Sequence, residues 1–442
     1  MFWREAQHYT VALRVLTCRR VAYIPAMGLL RIVGLIAIAL LLVGVVYGIA
    51  RLASGSETTR EQQLSLDPFY APPDPIPTEL GTVIRAEPMS ITVEGGSAQR
   101  ILYVSERPNG DRAVSGAMIF IPDSPAPPEG RPVVALEHGT LGMGDACVPS
   151  RSSDPTADMY TFIGPMMEQG WVVVATDYVG LGTPGPNQYL IAQSEVRDVV
   201  NAVRAARFMP EASASDRYAT FGHSQGGHAS IWTGHLGPEY APELTLVGVA
   251  AAAPALNLSE IASAQWDTAV GWVIGSALIE SWPTYYPDLP VDEVLTDAGR
   301  DASQRLAAEC IKQSGLEALA REKFGQQIFA FDPLENLVWQ DSMLAQTPPV
   351  MPADMPVFMA QGTADEVVLP WPNSMIQQQW CEAGSTIEVL WMGGVTHEEA
   401  AHVSGPAAVV WIADRFADRP AGRSCDVAPP VAPVNPASAA SS

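Results

Sequence analysis

The sequence predicts an α/β fold: a mostly parallel central sheet covered by helices on both faces, with a mainly helical insertion late in the chain. Three observations carry that prediction. Short β-type runs alternate with helical patterns through the later part of the chain. The early runs follow one another without helices between them, which predicts an antiparallel start. About 100 residues separate the run ending near Ala253 from the run starting near Pro356. An ordinary return between parallel strands needs far fewer. With 442 residues, 48% of them hydrophobic and 17% charged, the chain can bury a core of ordinary size.

The elements follow in order. Residues 1–31 form a basic arm holding Arg4, Arg14, Arg19, Arg20 and Arg31. Residues 32–50 carry no charge and, as a helix, span about 28 Å, close to the hydrocarbon thickness of a bilayer. The arginines place the arm in the cytoplasm. The expectation is a transmembrane signal-anchor at 32–50, with a cleaved signal as the alternative. Ala53 has Arg51 at its −3 position, so no small-x-small cleavage site is apparent there. The domain beyond is exported in both cases: membrane-anchored if the helix stays, secreted if it is removed. Residues 51–79 are polar and then rich in proline (Pro68, Pro72, Pro73, Pro75, Pro77), which reads as a stiff extended linker.

A catalytic domain is expected over residues 80–425. Its β-type runs fall at 99–105, 115–121, 133–137, 171–176, 217–221, 246–253, 356–361 and 386–392. Helical patterns fall at about 155–169, 189–208, 225–235, 372–382 and 398–417. The insertion, about 255–350, is expected to be a helical cap. It holds Trp266, Trp272, Trp282, Tyr285, Tyr286 and Trp339, which fit either an aromatic core or the lining of an apolar substrate site. Residues 426–442, rich in Ala, Pro and Ser, are expected to be disordered.

Lys+Arg number 25 against 48 Asp+Glu, a formal charge of −23. That excludes nucleic acid as a partner, because binding a phosphate backbone needs a cationic surface. Cys18 lies in the basic arm, and the exported part holds Cys147, Cys310, Cys381 and Cys425. An even number in an oxidising compartment suggests two disulfides, with three pairings open. No CxxC-type zinc spacing is present.

The strongest chemical signal is Gly222-His223-Ser224-Gln225-Gly226, which follows the run RYATF and opens an apolar helix. A strand–turn–helix of that composition is a nucleophile elbow, with glycines where a Cβ would clash. Serine needs a base, and the base needs an orienting acid. The run PVFMAQ leads into Asp365, and the run TIEVLWM leads into His397, both just past strand C-termini. Asp365 is therefore the candidate acid and His397 the candidate base. Glu366 adjoins Asp365 but points differently, and Asp354 precedes its strand. His402 lies in the following helix, and His228 and His235 lie on the nucleophile's own helix. His397 and His402 are five apart, about 140° round a helix, so HEEAAH is not a zinc-peptidase motif. His223, His228 and His235 fit no ligand spacing either, and neither a metal nor a cofactor is implied. For the oxyanion, the candidate donors are the backbone N–H of Gln225 and that of Thr140, which follows the run VVALE; the Thr140 hydroxyl is a further candidate.

These pieces together resemble the secretory lipase family of α/β-hydrolases, the fungal lipase A type and its bacterial secreted relatives. The resemblance rests on EHGTLGMGDACVPS (137–150), TDYVGLGTPGPNQY (176–189), DVVNAVRAARF (198–208), GHSQGGHAS (222–230), QGTADEVV (361–368) and GVTHEEA (394–400). It implies hydrolysis of acylglycerols or other carboxylic esters, and a triad of Ser224, Asp365 and His397. It also implies two disulfides, one tying the loop after the oxyanion strand to the cap (Cys147–Cys310) and one near the C-terminus (Cys381–Cys425). The expected partners are a lipid or small ester substrate and, through the N-terminal helix, a membrane. Two other functions stand beside a serine esterase or lipase: an acyltransferase using the same acyl-enzyme, and a catalytically idle envelope binding module.

Overall fold

The structure is a computed structural model that describes residues 67–152 and 162–433. The basic arm, the apolar segment 32–50, the first part of the linker and the tail from 434 lie outside the described residues. Among the described residues no helix is long and apolar enough to cross a membrane.

Nine strands form one sheet: β1 (Val83–Pro88), β2 (Gly96–Glu106), β3 (Arg112–Pro122), β4 (Arg131–Glu137), β5 (Val172–Thr176), β6 (Ala214–His223), β7 (Thr245–Ala252), β8 (Val357–Gly362) and β9 (Ile387–Met392). Their spatial order is β1-β2-β3-β5-β4-β6-β7-β8-β9. The first three are antiparallel, β3 meets β5 antiparallel, and the rest of the sheet is parallel. β1 has no counterpart among the β-type runs read from the sequence. It is an edge strand whose residues, VIRAEP, are half-buried or exposed, so it lacks the apolar alternation that marks the others.

Helices cover both faces. α1 (Ile163–Glu168) and α11 (Ala400–Phe416) pack on one side; α2 (Ala192–Phe208) and α3 (Gln225–Tyr240) pack on the other. β4 shows why. Its Val134 and Leu136 enter the first core, while Val133 and Ala135 enter the second. Successive side chains alternate across a strand, so a run of apolar residues buries both faces. Val133 and Val134 are fully buried, each contributing about 1.5–3 kcal/mol relative to exposure. α10 (Pro370–Glu382) covers the β8–β9 end through Ile376 and Trp380.

Between β7 and β8 the chain leaves the sheet and builds a cap from α4 (Leu258–Gln265), α5 (Ala269–Ser281), α6 (Val291–Val294), α7 (Asp297–Ala308), α8 (Ile311–Lys323) and α9 (Leu337–Ala345). Trp272, Trp282 and Trp339 are fully buried in its core, and Trp282 stacks on Trp339 at 6.0 Å. The cap aromatics thus divide: these three serve packing, and Trp266 lines a cavity described below.

Two disulfides are formed, Cys147–Cys310 and Cys381–Cys425. The first joins residues 163 apart in sequence; the chain-entropy account gives such a closure about 5 kcal/mol before native strain is subtracted. Backbone bonds run beside it: Met143 N–H donates to Ala307 O at 2.8 Å, and Ile311 N–H donates to Leu141 O at 2.9 Å.

One expectation needs correction. The Pro-rich stretch is expected to be a stiff extended linker to residue 79, yet from Asp67 it is docked on the domain. Tyr70 is buried, and its hydroxyl lies 2.7 Å from Ser150 Oγ. Asp67 pairs with Arg151 at 2.5 Å. Phe69 and Tyr70 supply apolar area that a solvated spacer would not carry.

Ser150 also serves Asp177, which accepts from the Ser150 N–H at 3.1 Å and from its hydroxyl. Asp198 accepts from Ser105 Oγ at 2.6 Å and from Val179 N–H at 2.8 Å. Both carboxyls are buried. Desolvation outweighs these hydrogen bonds and nearby arginines, and pushes each up to about 7. The folded protein therefore holds protons that the unfolded chain releases from about pH 4. These two groups favour folding most below about pH 4, and their contribution is lost as pH rises through about 7. The urea midpoint is expected to fall between pH 5 and pH 7.5, with a shallower fall in Asp177→Asn or Asp198→Asn. Identical pH dependence in parent and variants would contradict this assignment.

Candidate active site

The site is built where parallel strands end. β6 ends at His223, and Ser224 turns the chain directly into α3. Ser224 has φ 56° and ψ −114°, a conformation costly for a residue with a Cβ. Close packing enforces it. A Cβ on Gly222 would lie 1.9 Å from Gly226 O, and one on Gly226 would lie 1.9 Å from Glu137 O at the end of β4. Strand, turn and helix thus touch backbone to backbone.

The candidate acid and base come from neighbouring loops that are zipped together. Thr363 N–H donates to Met392 O at 2.9 Å, Ala364 N–H to Val395 O at 3.1 Å, and Gly394 N–H to Thr363 Oγ1 at 2.9 Å. Asp365, after β8, is buried. Its Oδ1 accepts from Val367 N–H at 3.0 Å and Val368 N–H at 2.9 Å; its Oδ2 accepts from Gln361 Nε2 at 3.1 Å. That oxygen also receives His397 Nδ1–H at 2.9 Å. His397 Nε2 lies 2.9 Å from Ser224 Oγ. The three residues therefore form an unbroken line, hydroxyl to imidazole to carboxylate. Glu366 is exposed and instead accepts the His397 backbone N–H at 3.4 Å. Asp354 is not in the line. His402 is exposed on α11 at the mouth. His223 Nε2–H donates to His397 O at 3.1 Å, which helps to fix the base loop.

Gln225 is the first residue of α3, so its backbone N–H has no partner within the helix and lies at the positive end of the helix dipole. From β4, a Cβ on Gly139 would lie 3.4 Å from Ser224 Cβ, which brings the loop carrying Thr140 against the nucleophile. Glu137, beneath that loop, is fully buried; desolvation, reinforced by Glu195, pushes its carboxyl well up despite Ser230. Burial thus works against a fixed anion beneath the loop.

Two cavities meet at Ser224. A narrow apolar one of about 70 Å³ runs into the cap, lined by Tyr189, Leu258, Ile261, Trp266, Ile274 and Phe329, among others. A wider one of about 600 Å³ opens between Thr140, His397, Lys312, Leu319, Glu366 and His402.

One buried network was not read from the sequence. Glu195 Oε1 accepts from Gln225 Nε2 at 3.1 Å, and its Oε2 lies 2.7 Å from His228 Nδ1. His228 Nε2 faces Gln346 O at 2.8 Å. A carbonyl only accepts, so Nε2 carries a hydrogen. Gln346 closes the cap: its Oε1 accepts from Ala192 N–H at 2.8 Å, and its Nε2 donates to Tyr286 OH at 2.5 Å. The available signal was an acid and a histidine set among apolar helical residues. The carbonyl that joins them lies 118 residues from His228 in sequence. His235, partly buried, donates to Pro349 O at 2.8 Å.

A family model described as Secretory lipase matches residues 151–424. Lipase 5 of Candida albicans is 27% identical over 387 residues, 80% of this chain and 81% of that protein. A Mycobacterium tuberculosis protein named probable inactive lipase is 22% identical over 382 residues, 80% of this chain and 82% of that one. The X-ray structure of Candida antarctica lipase A in its closed state superposes with a TM-score of 0.68 at 19% identity, covering 83% of this chain and 90% of that one. At that identity the likeness is one of fold.

The elbow geometry sets two expectations. Ser224→Gly should be more stable than Ser224→Ala by about 1 kcal/mol, because glycine tolerates the positive φ. Gly226→Ala should lose about 2 kcal/mol or more, since its Cβ meets backbone that cannot swing aside. Urea denaturation measures both. A Gly226→Ala protein as stable as the parent would contradict the packing described.

Proposed function

The chain belongs to the secretory lipase family of α/β-hydrolases, and from that premise we propose that it hydrolyses lipid esters through an acyl-enzyme on Ser224. The observation that carries this reading is the unbroken line Ser224–His397–Asp365 at the junction of the two cavities. Family membership alone would not suffice, since a relative of equal coverage is named as probably inactive.

Ser224 Oγ attacks the ester carbonyl while His397 Nε2 takes its proton. Asp365, held by two backbone N–H groups, keeps the ring's Nδ1–H directed at itself and stabilises the imidazolium that forms. The carbonyl oxygen gathers negative charge and is met by the backbone N–H groups of Gln225 and Thr140. His397 returns the proton to the leaving alcohol. Water then enters, is deprotonated by the same ring, and releases the acid. The apolar cavity fits the acyl chain; the wider, partly polar one fits the alcohol and the route in. Acylglycerols or similar lipid esters suit this division. Export of the domain is supported by its two disulfides, which persist in oxidising compartments.

Ser224→Ala is expected to lower kcat by about 10⁴-fold or more and to abolish labelling by a fluorophosphonate. Asp365→Asn should cost orders of magnitude, and Glu366→Gln little; the reverse would reassign the acid. Activity should be lost on the acid side of the pH profile, because the mechanism needs a neutral imidazole as base. Across p-nitrophenyl esters from acetate to palmitate, kcat/KM should climb roughly fourfold per methylene, about 0.8 kcal/mol each, until the cavity is full. No dependence on acyl length would remove the apolar cavity from substrate binding.

A further inference from the structure

The loop between β5 and α2 contributes nothing to the proton line, yet its last residues reach the site from behind. Tyr189 is buried and lines the acyl cavity beside Ser224 and Gln225. Its backbone is clamped by the cap: Tyr189 N–H donates to Ser281 Oγ at 2.7 Å, and Trp282 Nε1–H donates to Tyr189 O at 2.9 Å. Ser281 in turn donates to Asn187 O at 2.9 Å. Ser281 and Trp282 are fully buried, so the clamp is rigid. The tyrosine's hydroxyl then lies 2.6 Å from Thr140 Oγ1. Thr140 faces the other cavity, beside Gly139, Ser224 and His397. The hydroxyl pair therefore bridges the two cavities at the place where they meet the nucleophile.

Two hydroxyls in contact share one hydrogen bond, and either can donate it. Negative charge next to the pair selects one order. With Tyr189 O–H donating to Thr140 Oγ1, the threonine proton is released toward the oxyanion, and the two bonds reinforce each other. Burial pushes the Tyr189 phenol well above its ordinary range, so it keeps its proton throughout the working pH.

We propose that Tyr189 is a positioning residue that turns the Thr140 hydroxyl into an oxyanion donor, alongside the backbone N–H groups of Thr140 and Gln225. The proposal rests on Ser224 being the acylated nucleophile. No bond is made or broken by the pair; the proton of Thr140 points at the oxyanion and stays on Thr140. The cap thus reaches the chemistry through Ser281, Trp282 and Tyr189.

The test is a double-mutant cycle on kcat, KM and inhibition by an alkyl trifluoromethyl ketone, whose tetrahedral adduct bears the oxyanion. Thr140→Val should lower kcat about 100-fold with KM within about twofold. Tyr189→Phe should lower kcat roughly tenfold, again with KM nearly unchanged, and weaken the ketone by a similar factor. The double variant should be no slower than Thr140→Val alone, because Tyr189 acts through Thr140. Unchanged kcat in Tyr189→Phe, a rise in KM alone, or additive losses would overturn the proposal. Should Tyr189→Phe not fold, Thr140→Ser against Thr140→Val decides: retained kcat in the serine variant supports the hydroxyl, and equal losses reject it. Fluorophosphonate labelling of the parent at Ser224 separates the two levels. An unlabelled parent refutes the reading of the site, whereas a labelled parent with a silent Tyr189→Phe refutes only this step.

Discussion

Everything at this site depends on a contact between backbones. Gly226 lies against Glu137 O, and Gly222 lies against Gly226 O. No side chain fits between them, so β4, β6 and α3 converge within contact distance. That convergence forces Ser224 into a positive φ and presents its hydroxyl above the sheet. It also brings the loop carrying Thr140 against Ser224, the residue that precedes Gln225. A looser junction would separate Ser224 from the candidate oxyanion donors, and the loops after β8 and β9 that carry Asp365 and His397 would have nothing to converge upon. The strain at Ser224 is held by the two strands paired on either side of β6.

Around that junction the protein manages charge by burial. Glu137, Asp177 and Asp198 are all removed from water and all held toward their neutral forms. Asp365 differs in its surroundings: four hydrogen-bond donors converge on its two oxygens, including the ring of His397. Those contacts direct its Oδ2 at the ring of His397, whereas the other three carboxyls sit within the frame.

Much of this was legible in the sequence. Glycines around Ser224 reveal a tight turn because only a missing Cβ permits it. Asp365 and His397 follow apolar runs, and residues just past parallel strands gather at one edge of a sheet. The cap was legible as length with no strand pattern. Less legible were contacts made by main-chain atoms, which carry no signature of residue type. Gln346 O, which receives His228, and Tyr189 O, which receives Trp282, belong to that class. β1 is not legible in the sequence because an edge strand with Arg85 and Glu87 shows little apolar alternation. The docked segment at Asp67–Ala71 was hidden by its prolines, which suggest stiffness and say nothing of where Phe69 and Tyr70 pack.

The cap leaves the sheet after β7 and returns at β8, two strands that lie side by side. Connectivity alone would make it a cassette, exchangeable between relatives by cutting at those two points. Its fastenings give a different unit. Cys310 is bonded to Cys147 before β5, Ser281 and Trp282 hold Tyr189 ahead of α2, and Gln346 holds Ala192 and His228. A foreign cap grafted at the sheet alone would arrive without its counterparts at all three. The interlocked unit is discontinuous: the insertion together with residues 141–147 and 187–195. Recombination that respects those three pieces could trade acyl pockets between relatives; recombination that follows the chain's apparent domain boundary would separate each pocket from the hydroxyl that Tyr189 holds.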